Sequence, residues 1–179
     1  MNKDISGILC DEAELDSIVK RLAEEINRDY AGKSVVVVGI LKGSAIFLAD
    51  LFRRLEIDCT LDFMAVSSYG SETIPSGSLR IEKNLSTDIS GKHVLIVEDI
   101  LDTGNTLYAL KAYLEELHPC SVRLCTLLDK PSRREKPITA DYCGREVENQ
   151  FIVGYGLDYD EHYRNLPYIG ILSPSVYRK

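Results

Sequence analysis

The chain has 179 residues, 45% apolar and 27% charged, enough to build one folded domain around a real core and too balanced for a disordered or disulfide-stapled chain. Lys and Arg number 21 against 28 Asp and Glu, and the formal net charge of -7 excludes the global positive field of a sequence-independent nucleic-acid binder. Any phosphate site therefore has to be local.

From Asp11 to Tyr30 apolar residues recur at Leu15, Ile18, Val19, Leu22, Ala23 and Ile26, a helical stripe, and Asp11 with Glu14 has the spacing of a capping box. Gly32 closes this helix, and Val35 to Val38 follows as a continuous β-branched run of the kind buried on both faces of a parallel sheet. After Gly43 and Ser44 a second stripe, Phe47, Leu48, Leu51, Phe52 and Leu55, marks another helix, so a βαβ unit opens here. Leu61, Phe63 and Ala65 alternate with Asp62, Met64 and Val66 as a strand, and Ser67 to Gly77 is polar and without period, a loop long enough to serve as a lid. Leu79 to Lys83 leaves that loop as a strand, and His93 to Val97 is a further buried one. Leu107, Leu110, Leu114 and Leu117 mark a helix ending near Pro119, and Val122 to Leu128 is another strand.

Beyond Asp129, four prolines (Pro131, Pro137, Pro167, Pro174) separate short β-rich pieces around Phe151 to Val153 and Tyr168 to Leu172, which read as a hood over the sheet. The expected organisation is an α/β protein with a mostly parallel central sheet flanked by helices. It forms a single domain over 1–179, with its core at about 11–128 and a small β-rich hood mainly at 129–179 together with the extreme N-terminus. Cys10, Cys59, Cys120, Cys125 and Cys143 are odd in number and lack metal-ligand spacing, so they read as reduced, mostly buried small hydrophobes. With no apolar run near membrane length and no signal-like N-terminal segment, a cytoplasmic protein without a membrane partner is expected.

The segment that carries chemistry runs from Val94 to Leu107. A buried strand leads to Glu98, Asp99 and Asp102, then Thr103, Gly104, Asn105 and Thr106 enter a helix. Small residues at a helix N-terminus present unpaired backbone N–H groups and the positive end of the helix dipole, and the threonines add hydroxyl donors, enough to hold a phosphate without Lys or Arg. Glu98 and Asp99, at the end of the strand where open α/β sheets bind ligands, can accept from sugar hydroxyls or face a divalent metal. Helix capping accounts for one or two of these residues but not for three acids in five positions, whose charges would be costly to bury unpaired. The pattern points to a sugar phosphate.

This segment resembles the diphosphoribosyl-binding signature of the type I phosphoribosyltransferases, and the whole chain resembles their bacterial hypoxanthine branch. Gly39 to Ser44 resembles the family's pyrophosphate loop, Ser68 to Gly70 its lid, and Phe151 to Tyr159 its purine- and metal-contacting stretch. The resemblance implies the type I phosphoribosyltransferase fold. It also implies transfer of a 5-phosphoribosyl group from phosphoribosyl diphosphate to N9 of hypoxanthine or guanine, giving IMP or GMP and pyrophosphate with magnesium as cofactor. Residue by residue, it makes Asp102 the base at purine N7. Glu98 and Asp99 would hold the ribose hydroxyls, and Asp102, Thr103, Gly104, Asn105 and Thr106 the 5′-phosphate. Leu41, Lys42, Gly43, Arg134 and Arg164 would hold pyrophosphate, with a cis bond between Leu41 and Lys42. Lys130, Phe151, Ile152 and Asp158 would contact the purine, Ser68 and Tyr69 would lie in the lid, and Glu98, Asp99 and Asp158 would serve the metal. A homodimer or homotetramer is implied as well.

Two alternatives stay open at the level of sequence. One is a phosphoribosyltransferase for another base, such as xanthine or uracil. The other is an RNA-binding regulator on the same fold, which would use the basic cluster of Lys130, Arg133, Arg134 and Lys136.

Overall fold

The 18-residue helix α1 (Glu12–Asp29) begins where its capping box dictates: Glu14 N–H donates to Asp11 Oδ1 at 2.8 Å and Asp11 N–H to Glu14 Oε2 at 3.0 Å. The computed structural model describes residues 2–68 and 79–178. Ahead of α1 stands β1 (Ile5–Cys10); after it come β2 (Ser34–Leu41), α2 (Ala45–Phe52), β3 (Asp58–Ser68), β4 (Leu79–Lys83), β5 (His93–Leu101), α3 (Asn105–Glu115) and β6 (Ser121–Asp129). A 3-10 turn at Pro131–Arg133 leads to β7 (Tyr142–Glu146), β8 (Ile152–Val153), β9 (Ile169–Leu172) and the short α4 (Pro174–Tyr177).

The large sheet has the order β4-β3-β2-β5-β6-β7, parallel throughout except for the antiparallel β3/β4 pair. Val35, Val37, Leu95 and Val97 point to the side covered by α1 and α2, whereas Val36, Val38, Val94 and Ile96 point to α3. That division explains the unbroken apolar runs, since neither face of a covered parallel sheet meets water. A second, antiparallel sheet β1-β9-β8 forms the hood over a small core of Ile5, Val153 and Leu172.

Several boundaries differ from expectation. β7 lies beyond Asp129 yet joins the large sheet, pairing Cys125 with Tyr142 and Leu128 with Arg145, so the span assigned to the hood contributes a core strand. β1, which supplies the hood's N-terminal strand, is too short to show a period. Ser67 and Ser68 close β3 opposite Arg80 and Leu79 instead of opening the loop, because β3 and β4 form a hairpin; Tyr69 lies outside the described residues. α2 stops at Phe52, leaving Leu55 in the next turn, and Leu117 is exposed beyond α3. Of the five free cysteines only Cys10 and Cys125 are buried, while Cys120 is exposed.

The buried face of β3 is that of Asp62 and Met64, not of Leu61. Asp62 accepts backbone N–H bonds from Phe63 at 2.7 Å and from Ser86 and Thr87 at 2.8 Å each, tying the 84–87 loop to the sheet. Burial alone would raise its pKa, but the three N–H donors outweigh it and hold the carboxyl at about 2, against an ordinary 3.8. Its stabilisation, about 2 kcal/mol, is therefore complete above the ordinary value and is lost as pH falls through the folded one. We expect Asp62→Asn to cost about this much at pH 7 in urea unfolding, with the gap narrowing toward pH 2. An equal loss at both pH values would show that the charge is not what anchors the loop.

Candidate active site

Lys42, Asp102 and Lys130 each follow the last residue of a parallel strand, β2, β5 and β6, and these three neighbours bring them to one edge of the sheet. A depression of about 250 Å³ opens there, lined by Ile40, Leu41, Glu98, Asp99, Asp102 and Thr103 among others. Larger depressions, of about 580 Å³ at the start of β2 and β3 and about 360 Å³ between α1, α2 and the hood, the latter lined by Asp16, Asp50, Arg54 and Arg164, hold neither the strand-end acids nor the start of α3. Chemistry selects the smaller one, which is also where ligands of open parallel sheets bind.

β5 extends to Leu101, so Glu98 and Asp99 lie inside the strand and not after it. Asp99 is buried and Glu98 half-buried. Burial first, and then the neighbouring Asp99 charge, raises the Glu98 carboxyl well above the ordinary carboxylate range. Asp99 is also raised by burial, against which Glu98, the Ile100 N–H and the Arg164 charge work. The Asp99 carboxylate packs directly on Gly43, where any Cβ would overlap it, and the Gly43 carbonyl packs on Gly156, where a Cβ is excluded too. Gly156 also takes φ +103°, a region closed to most side chains.

α3 starts from Gly104 at φ +84°, without a side-chain cap, and its first intrahelical bond is Tyr108 N–H to the Gly104 carbonyl. The amides of Thr106 and Leu107 are thus left without an intrahelical partner, while the Asn105 N–H lies 3.4 Å from the Thr103 hydroxyl. Residues 133–138 lace this loop from outside. Arg134 donates through Nη1 to the Leu101 carbonyl at 3.1 Å and to the Asp102 carbonyl, and through Nη2 to Asp129; its Cδ and Ile138 close on Gly104. Glu135 N–H donates to the Thr103 carbonyl at 2.9 Å, and Glu135 accepts from Asn105 Nδ2 at 2.6 Å. Arg134, expected at the pyrophosphate, is therefore turned inward and already bonded, and the Asn105 side chain donates to Glu135 and to the Thr103 hydroxyl. Arg133 is the arginine beside Asp102, with Nε donating to Oδ1 at 3.1 Å.

On the hood side Arg164 donates through Nη1 to the Gly156 carbonyl at 2.8 Å, and its Nη2 lies 3.0 Å from Asp158 and 3.3 Å from Glu161. Lys42 Nζ meets Glu161 at 2.9 Å, and the Leu41–Lys42 bond is cis, as the resemblance implied. At the other end Lys130 is buried and donates to the Gln150 carbonyl at 2.8 Å, directly before Phe151. Burial pulls its ammonium below the usual value, with Asp102 opposing. Phe151 stays 38% exposed, stacked on Tyr177 at 4.8 Å between centroids and met edge-on by Tyr159. Ile152 is buried in β8.

Among the described residues no three acidic, histidine or cysteine side chains gather as a metal cage. The expected trio of Glu98, Asp99 and Asp158 is thus not assembled, because Asp158 is turned to Arg164. The donor chemistry of Glu98 and Asp99 still fits magnesium, which in enzymes takes one or two carboxylates and completes its shell with water and substrate oxygens.

Residues 11–160 match the model of the phosphoribosyl transferase domain. The chain belongs to this phosphoribosyltransferase family. It is 48% identical over 177 residues to a hypoxanthine-guanine phosphoribosyltransferase of Staphylococcus aureus, covering 99% of both chains. A solved hypoxanthine phosphoribosyltransferase from the same organism superposes with a TM-score of 0.96 at 47% identity, covering 100% of this chain and 97% of that one. The hypoxanthine-guanine phosphoribosyltransferase of Bacillus anthracis, with HEPES in its active site, gives 0.90 at 45% identity over 94% and 99%. The α/β fold with its mostly parallel sheet is that of the type I phosphoribosyltransferases.

Of the basic cluster that an RNA-binding regulator would use, Lys130, Arg133 and Arg134 are engaged with the site's own backbone or carboxylates. Glu161, Glu135, Asp129 and Tyr177 entered the site unannounced. A pairing of residues far apart in the chain leaves no mark on spacing, although the glycine at 156 was a local sign of close approach.

The two neighbouring arginines separate experimentally. The pair Arg134–Asp129 has side chains only 16% and 12% exposed, so Arg134→Met should cost about 3 kcal/mol, the scale for breaking a buried pair. Arg133, 45% exposed, should cost less than about 1 kcal/mol in the same change. Urea unfolding of both variants checks this, and equal losses would contradict the inward assignment.

Proposed function

We propose that this phosphoribosyltransferase transfers the 5-phosphoribosyl group of phosphoribosyl diphosphate to N9 of hypoxanthine or guanine, in purine salvage. The observation that carries the reading is the arrangement of three kinds of group along one sheet edge. Asp102, Lys130 and Phe151 stand at one end, the cations Lys42 and Arg164 at the other, and the Glu98–Asp99 pair with the α3 N-terminus lies between.

In this reading the 5′-phosphate takes the amides at the start of α3 with the Thr103 and Thr106 hydroxyls, which need no cation because helix-end N–H groups already favour an anion. Glu98 and Asp99 accept from the ribose 2′- and 3′-hydroxyls. Lys42 and Arg164 neutralise the leaving diphosphate. Phe151 stacks on the purine, the Ile152 backbone meets the ring edge, and Lys130 donates to the 6-oxo group, which disfavours adenine with its amino donor there. Asp102 accepts the proton at N7 as N9 attacks C1′ from the face opposite the departing pyrophosphate. Such a sugar passes through an oxocarbenium-like state, so water must be excluded. Glu98 and Asp99 would hold magnesium, which when bound would supply charge neutralisation of the leaving group.

The reaction runs in the cytoplasm, consistent with five cysteines left unpaired, and residues 1–179 act as one unit within a homodimer or homotetramer.

An absorbance assay with phosphoribosyl diphosphate, magnesium and each of hypoxanthine, guanine, xanthine, adenine and uracil tests the reading. Hypoxanthine and guanine should turn over, chelator should abolish the activity, and Asp102→Asn should lower kcat by about 10²–10⁴-fold, the range of general-base contributions. Preferred turnover of xanthine or uracil would move the assignment to another base, and a loss in kcat below about tenfold would remove Asp102 from the role of base.

A further inference from the structure

Glu161 has no part in the chemistry above, yet its carboxylate sits where an anionic ligand belongs. Oε2 lies 2.9 Å from Lys42 Nζ and Oε1 lies 3.3 Å from Arg164 Nη2, so a single side chain bridges the two cations. The backbone bends sharply to put it there. Asp160, Glu161 and Tyr163 take φ of +50°, +64° and +75°, left-handed positions held without a glycine, and the Asp158 carboxylate accepts the Glu161 N–H at 3.0 Å. Stability does not explain this arrangement. Lys42 and Glu161 have side chains 69% and 62% exposed, and an ion pair so well solvated contributes little to folding.

We propose that Glu161 is an internal stand-in for the diphosphate of the substrate. Its carboxylate draws Lys42 to Arg164, which Asp158 and the Gly156 carbonyl also hold, before substrate arrives, and it gives way when a diphosphate takes both cations. Like-charge repulsion makes the exchange directional, since a diphosphate carries more negative charge than one carboxylate and the two cannot share the cations. The same competition favours departure of the product pyrophosphate, because Glu161 returns to the cations as the anion leaves. Lys42 keeps the Glu161 carboxyl below the usual carboxylate range, so the stand-in stays charged near neutral pH. The proposal rests on the reading that Lys42 and Arg164 receive the diphosphate.

Calorimetric titration of inorganic pyrophosphate with magnesium into the full-length protein, Glu161→Gln and Lys42→Met tests it. Glu161→Gln keeps the size of the side chain and removes its charge. It should bind pyrophosphate about three- to fivefold tighter, the size of a screened, exposed ion pair. In steady-state assays it should lower KM for phosphoribosyl diphosphate and slow pyrophosphate release. Equal or weaker binding by Glu161→Gln, alongside weakened binding by Lys42→Met, would overturn the stand-in while leaving the diphosphate reading intact. Binding indifferent to Lys42→Met would overturn that reading and the stand-in with it.

Discussion

The Asp99 carboxylate rests on Gly43, and the Gly43 carbonyl rests on Gly156, at separations that exclude a β-carbon at either glycine. Three segments distant in sequence, strand β5, the turn after β2 and the hood loop after β8, meet in that one stack. A buried carboxylate is costly unless something compensates it, and here the Arg164 charge reaches it while the same guanidinium is bonded to the Gly156 carbonyl. The hood is thereby coupled electrostatically to the carboxylate pair as well as packed against the sheet. A side chain at 43 or 156 would part these layers and separate the cations from the acids between which a diphosphoribosyl group has to fit.

The same economy governs the phosphate loop. An acidic protein that handles anionic substrates cannot rely on a general positive field, so its attraction has to come from oriented amides and a few cations. Amides work only if the loop that presents them keeps its shape, and this loop turns through a left-handed glycine at its helix entry. Residues 133–138 hold it from behind: Arg134 bonds the carbonyls of Leu101 and Asp102, Glu135 bonds the backbone of Thr103, and Ile138 covers Gly104. An arginine expected to supply charge is used as a brace that makes three hydrogen bonds, two to the loop's carbonyls and one to Asp129.

Much of the scaffold could be read from sequence because its signals are local. The α1 capping box marks where that helix begins, and the β-branched runs of β2 and β5 and Leu107, Leu110 and Leu114 of α3 record which faces are buried, as the structure buries them. The loop from Asp102 to Thr106 was legible for the same reason, since strand, acids, small residues and helix are contiguous. What failed was non-local. β1 and β7 are five or six residues long and are strands because of the neighbours they pair with, not because of a period of their own. Arg133 and Arg134 are adjacent in sequence, and only the fold decides that one faces Asp102 and the other turns toward Asp129. Glu161 in the run Asp160, Glu161, His162 reads as an ordinary solvated loop until Lys42, from the far side of the chain, is placed beside it.

These misreadings share a physical origin that bears on the site itself. Lys42, Arg133, Arg134 and Arg164 are each met by a carboxylate, whether Glu161, Asp102, Asp129 or Asp158. Each of these four cations already has a carboxylate partner, so counting basic residues around the site overstates what is available to a ligand. The useful distinction is how much of the pair water already reaches. The Arg134–Asp129 pair is nearly sealed, and breaking it would strand a buried charge, so it is structural. The Lys42–Glu161 pair is open to solvent on both sides, so exchanging its carboxylate for a substrate's phosphates costs little desolvation. Exposure separates Arg134, which holds the loop, from Lys42, which can be lent to a substrate.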